Sequence, residues 1–362
     1  MGNIDSQLDQ LAHLYGYRLH KFSQEDANDI IALDFQQKSN MMLKQYSKFP
    51  FRQYRESGVH MHLRIVERKQ ISEQKHGLDA WVAPLFVKDK HAFAIYLSIG
   101  LVRGISEVFT AMAVGPEKLI SGIVSQDMEE HFQNYIYPRI TAALTFILLH
   151  ETAHILRAHI PFYYQDRYVR GRKNARLSFH LIESIEDMEV FMKSARIHRS
   201  MEIDADTLAI GLIHEFLSSD DQASFLIYDD QTLRKPEIFG EAIAIVTRLL
   251  EQWRRSVSKE SYSPNNSVHP HPDIRYIFLT SWLMARRKLK DRDQSFLETT
   301  IIFEKGFDAA SKKMEVFGDQ FFPLFEYLNQ TGKDNSLEEY ELIRKDLAEY
   351  LQPKLSNYVA PF

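Results

Sequence analysis

The stretch LLHETAHILRAH, residues 148–159, decides how the rest of this 362-residue chain is read. If it is helical, His150 and His154 lie four residues apart on one face and turn both rings to one point, a clamp for a cation. Glu151 is rotated by roughly 100° around the axis, which puts its carboxylate beside such a cation instead of on it. From there it can take the proton of a water whose pKa zinc lowers to about 7. The competing reading is a core helix that happens to hold two histidines, since the preceding ITAALTFILL is apolar enough to be buried. That helix would bury two polar rings in need of partners. A third ligand separates the two readings.

RSMEIDADTLAIGLI, residues 199–213, offers one. Glu202 and Asp206 are four apart and share a helix face, whereas Asp204 is displaced by about 200° and is expected to meet solvent. Glu202 would close a His-His-Glu site with one coordination position open, and Asp206 would accept the far N–H of a liganding histidine. Farther on, SVHPHPDIRYIFL (267–279) sets His269 and His271 on a proline-stiffened loop and Arg275 at the start of a helix. Either histidine would suit as a donor to the oxyanion of a tetrahedral intermediate, and Arg275 could bind a carboxylate that positions the site. A turn with exposed histidines and a surface arginine explains the same spacing equally well.

Composition narrows the chemistry. The chain has no cysteine, so there is no disulfide framework and no thiolate site, and a metal must be held by imidazole and carboxylate. Apolar residues at 44% and charged residues at 26% are those of a globular protein, and the net charge of −5 gives no global attraction to nucleic acid. The start, MGNIDSQLDQLAHLYG, lacks a basic region followed by an apolar one, so a cytoplasmic protein is expected. The most apolar windows, 92–114 and 140–160, are broken by Arg103, Glu107, His150, Glu151, His154 and Arg157, and neither reads as a membrane span.

Residues 1 to about 50 carry helix-like periodicity. VHMHLRIV (59–66) alternates as a half-buried strand does, and AWVAPLFV (80–87) with HAFAIYLS (91–98) reads as a hairpin, giving about three strands in a small antiparallel sheet. Beyond Gly100 the pattern is helical, over 100–113, 117–134, 137–159, 180–196, 199–217, 237–256, 272–290 and stretches after 295. Residues 161–179 and 258–272 read as loops. The first carries Arg167, Arg170, Arg172, Lys173 and Arg176, which suit an acidic substrate, a shield removed by an activating partner, or simply a solvated loop. A small sheet followed by many helices is an α+β architecture, predominantly helical.

HETAH followed by EIDAD resembles the HExxH and ExxAD signatures of the gluzincin metallopeptidases. HPHPDIR keeps the His-Pro and later arginine of the CaaX-prenyl-protease and heat-shock membrane-protease branch. Upstream, Asp79-Ala80, a strand, then Gly100-Leu101-Val102 are similar to that branch's Asn-Ala, strand, Gly-Leu-Leu segment, with Asp79 in place of asparagine. The resemblance covers roughly residues 78–280, and the domain organisation expected is a zincin-like domain over 56–290 with a helical segment at 1–55 and a helical extension at 291–362. It implies zinc held by His150, His154 and Glu202, Glu151 as general base and acid, Asp206 as the outer partner, and His269 with Arg275 as the late pair. It also implies that the strand before Gly100-Leu101 edges the cleft and pairs with an extended peptide. Relatives without membrane helices include the Lit phage-exclusion peptidases, a resemblance that implies a protein substrate and leaves phage defence, toxin action and housekeeping proteolysis open as roles. The function expected is a zinc-dependent endopeptidase; the alternative is a regulatory or interaction protein with a structural or vestigial zinc site.

Overall fold

The computed structural model describes residues 4–46, 60–69, 79–87, 90–114, 130, 132–157, 159, 188–218, 235–258, 269–287, 294–316 and 333–351. Most of them are helical, and four strands form one small sheet. In chain order the elements are α1 (Ile4–Leu14), β1 (Tyr17–Leu19), α2 (Ala27–Tyr46), β2 (His60–Arg68), β3 (Ala80–Val87), β4 (Lys90–Ser98) and α3 (Ile99–Val114). A π-helical turn, Phe132–Ile136, leads into α4 (Tyr137–Leu156). Then come α5 (Met188–Ser218), α6 (Pro236–Ser258), α7 (Pro272–Arg287), α8 (Gln294–Val316), α9 (Lys333–Lys345) and a last π-helical stretch, Asp346–Leu351. Among the described residues no helix is long and apolar enough to cross a membrane. The loop 161–179 with its five basic residues, 180–187, most of 117–134 and 259–268 lie outside the described residues.

The sheet is mixed, not antiparallel as expected. Its order is β1-β2-β4-β3: β1 with β2 and β3 with β4 are antiparallel, but β2 runs parallel to β4 from His60↔Ala92 to Val66↔Ser98. Alternation along a strand fixes which residues share a face and leaves the choice of neighbouring strand open. The short β3–β4 link imposes the hairpin, and β2 takes the other edge of β4. Enclosed by strands on both edges, β4 is also covered on both faces. Phe93, Ile95 and Leu97 join Leu63, Ile65, Phe35 and Ile140 in the main core, while Ala92, Ala94 and Tyr96 pack with Leu8, Ala12 and Trp81 beneath α1. A near-continuous apolar run is the pattern of a strand buried on both sides.

That placement overturns one implication of the resemblance. The strand before Gly100-Leu101 is β4, and both its edges are already paired, so no extended peptide can join it. The outer strand on that side is β3. The Ser98 N–H donates to the Asp79 carbonyl at 2.9 Å, so Trp81, Ala83 and Leu85 share the β4 ladder and the backbone nitrogen of Pro84 points away from it, where a missing N–H breaks no ladder bond. Asp79 itself is turned to Tyr17, whose hydroxyl donates to it, and to Arg68 Nη2 at 3.1 Å. The Ser98 hydroxyl accepts the N–H groups of Asp79 and Leu101, tying the start of β3 to the first turn of α3.

The central helix is α4, with every residue from Pro138 to Leu156 buried. A helix apolar around its whole circumference must be enclosed, and α4 packs on α3, α5, α6 and the β3–β4 sheet. It ends at Leu156, short of the expected 159. The two helices expected at 180–196 and 199–217 are one: α5 runs unbroken from Met188 to Ser218, there being neither glycine nor proline between the two expected pieces. Alongside, α6 and α8 approach closely at Gly306, where a Cβ would lie 2.1 Å from the Glu237 carbonyl oxygen, so only glycine fits.

The C-terminal helix returns to brace α5. Ile343, Tyr340 and Leu347 pack on Ile203, Ile274 and Phe278, and Arg199 pairs with Glu339 at 3.4 Å with both side chains buried. Arg196 pairs with Asp346 one turn earlier. The braced segment of α5 and the first turn of α7 carry the residues described next.

Candidate metal centre

Helical spacing does locally what the sequence requires of it: His150 and His154 project from one face of α4, and their Nε2 atoms stand 3.1 Å apart. Long-range packing supplies the rest, because α5 crosses α4 and brings Glu202 to the same point. Its Oε2 is 3.4 Å from His150 Nε2 and its Oε1 is 3.4 Å from His154 Nε2. All three residues are buried and could hold a metal ion. Ligand bonds of about 2.0–2.2 Å in tetrahedral geometry set donor atoms about 3.3–3.6 Å apart, close to the 3.1 Å between the two Nε2 atoms and the 3.4 Å from each of them to one oxygen of the Glu202 carboxylate.

Outward from the donors, the His150 Nδ1–H donates to Asp206 Oδ1 at 2.8 Å. Asp206, wholly buried, also accepts both arms of Arg275, from Nε at 2.6 Å and Nη2 at 2.7 Å. This is a bidentate pair inside the protein. Burial works against the Asp206 carboxylate, but Arg275 and His150 outweigh it and hold its pKa below the usual value. Arg275→Met takes the bidentate partner from that carboxylate and leaves it the His150 N–H, and removing one partner of a buried pair typically costs 3–5 kcal/mol. Urea unfolding of this variant is expected to show a loss of about that size; a change below about 1 kcal/mol would mean the pair contributes little.

The two late histidines part company. His269 Nδ1 lies 3.2 Å from Glu202 Oε2 and its side chain is 26% exposed, the most open of the cluster. His271 is fully buried, and its carbonyl accepts the Arg275 N–H at 3.0 Å, closing the first turn of α7. With His269, His150 and His154 around it, Glu202 is held well below the usual carboxylate range despite its burial. Burial likewise disfavours a cationic His150, yet Asp206 and Glu202 raise its pKa to about 10. Glu151 goes the other way: burial raises it above the usual value against the pull of His150 and His154. Among the described residues no side chain hydrogen-bonds its carboxylate.

Asp204 does not meet solvent. It is 8% exposed, and His159 Nε2 lies 3.1 Å from its Oδ2 with Arg157 Nε 3.4 Å away. The face of α5 opposite Asp206 is covered because the chain leaves α4 at Leu156 and folds over it. The Arg157 N–H still reaches the Ala153 carbonyl at 2.8 Å, and His159 then comes back to set its Nδ1 2.9 Å from His154 Nδ1. Burial chiefly, with His154 adding to it, lowers the His159 pKa to about 4. His159 is visible in the sequence only as the third histidine of HETAHILRAH, five residues on and off the helical repeat.

Comparison with family models, with curated proteins and with solved structures finds no match for this chain. The candidate metal site rests on the residues themselves and on how the fold gathers them.

Proposed function

We propose that the chain is a metal-dependent endopeptidase and that the ion is zinc. The observation that carries the reading is the convergence of two imidazole Nε2 atoms and one carboxylate at tetrahedral spacing, with the buried Glu151 one residue along. Two nitrogen donors and one oxygen donor without thiolate are the ligand set of hydrolytic zinc sites, which keep a position open. When bound, zinc supplies a Lewis acid that polarises a carbonyl and lowers the pKa of water.

The chain's own residues do the rest. Glu151 accepts the proton of the attacking water and returns it to the leaving amine. Its raised pKa brings it nearer neutrality, where one group can serve as base and then acid. His269 donates to the oxyanion of the tetrahedral intermediate, as the more open of the two late histidines. Arg275 holds Asp206, and Asp206 fixes the ring of His150. A purely structural zinc site has no use for a buried carboxylate one residue from a ligand, which is why an enzyme is preferred to a scaffold.

Mapping of new protein N-termini in cells that express wild type or Glu151→Gln tests this reading. Cleavage sites present only with wild type are expected. Identical N-terminal profiles would contradict it.

A further inference from the structure

We infer that His159, held by Asp204, is a positioning residue that fixes His154 as its Nδ1–H tautomer and so keeps the Nε2 lone pair turned to the cation. The inference rests on the metal-site reading above and adds two residues to it. The proton inventory leads there from one end. Asp204 Oδ2 is a carboxylate oxygen that only accepts, so the His159 nitrogen 3.1 Å away, Nε2, carries hydrogen. A His154 ring that keeps its Nε2 lone pair for the cation carries its hydrogen on Nδ1, which requires His159 Nδ1 to be an acceptor. That atom faces His154 Nδ1 at 2.9 Å, and two ring nitrogens at this distance need one hydrogen between them. His154 therefore provides it, and its Nε2 is left as a lone pair.

The arrangement mirrors the opposite side of the site. His150 is fixed by a carboxylate directly, through Asp206, while His154 is fixed by a carboxylate one ring farther out. Both carboxylates come from the same two turns of α5 that carry Glu202, so one helix supplies a ligand and the outer support of both histidines. The relay is buried throughout: His154, His159 and Asp204 are all below a tenth exposed. Water cannot readily replace a missing partner there, and loss of an outer partner typically costs 10–100-fold in metal affinity.

The test measures zinc affinity by chelator competition on full-length protein, beside ring ¹⁵N NMR of the zinc-loaded wild type. His159→Leu, which removes the acceptor, and Asp204→Ala, which frees the His159 ring, are each expected to weaken zinc binding about 10–100-fold. His159→Gln, whose amide oxygen can accept from His154 Nδ1, is expected to recover part of the loss, which a role in packing alone would not produce. In the spectrum, His154 is expected to carry its proton on Nδ1 and His159 on Nε2. Wild-type affinity in His159→Leu, or a proton on His159 Nδ1, would overturn the inference while leaving the metal site standing. Wild-type protein that binds no zinc would remove the site and the inference together. Should the variants fail to fold, the wild-type spectrum alone decides.

Discussion

Purified Glu151→Gln is expected to hold one zinc per chain and to cleave at least about 10²–10⁴-fold more slowly than wild type, the usual contribution of a positioned general base. Three features lead to this outcome. Glu151 is not among the converging donors, so the change leaves His150, His154 and Glu202 in place. Glutamine has the same shape and cannot take a proton from water. The wild-type carboxylate is buried, and no described side chain hydrogen-bonds it, so replacing it with a neutral amide removes a buried charge and should not lower thermal stability. Zinc content and turnover on a substrate found by N-terminal mapping are the measurements. Full turnover in the variant would assign the base elsewhere.

Glu202→Ala is expected to have the opposite profile, with zinc binding lost and activity lost with it. The variant removes one of three ligands, and with it a carboxylate whose oxygens lie within 3.4 Å of His150, His154 and His269. The fall in zinc affinity should exceed the 10–100-fold typical of an outer partner. It should appear also as loss of zinc-induced stabilisation, which for a ligand at about a thousand times its Kd amounts to roughly 4 kcal/mol. Thermal unfolding with and without zinc reads this directly. Equal zinc-induced shifts in wild type and Glu202→Ala would show that the carboxylate is not a ligand.

What could be read in advance divides along physical lines. His150, His154, Glu202 and Asp206 are marked by polar groups at four-residue spacing on otherwise apolar helices, and such spacing is local. The meeting of α4 with α5 is not local, nor is the partner of each strand. The parallel pairing of β2 with β4 follows from packing that no alternation in HMHLRIVER reveals. Asp204 was misplaced for a related reason. Angular offset on a helix says which residues are opposite, but whether the opposite face is wet depends on the turn after Leu156, where Arg157 and His159 fold over α5. The same turn hid His159, since a ring that touches His154 from outside the helix leaves no periodic trace. Spacing does not distinguish His269 from His271; in the fold His269 Nδ1 lies 3.2 Å from Glu202 and His271 is buried at the start of α7.

X-ray absorption at the zinc edge, on protein purified without added metal, tests the central claim most directly. Zinc bound by two imidazoles and oxygen donors at about 2.0–2.2 Å is expected in wild type, and a spectrum with one imidazole, or no zinc, in His154→Ala. A wild-type protein devoid of zinc, or an unchanged zinc spectrum in His154→Ala, would contradict it.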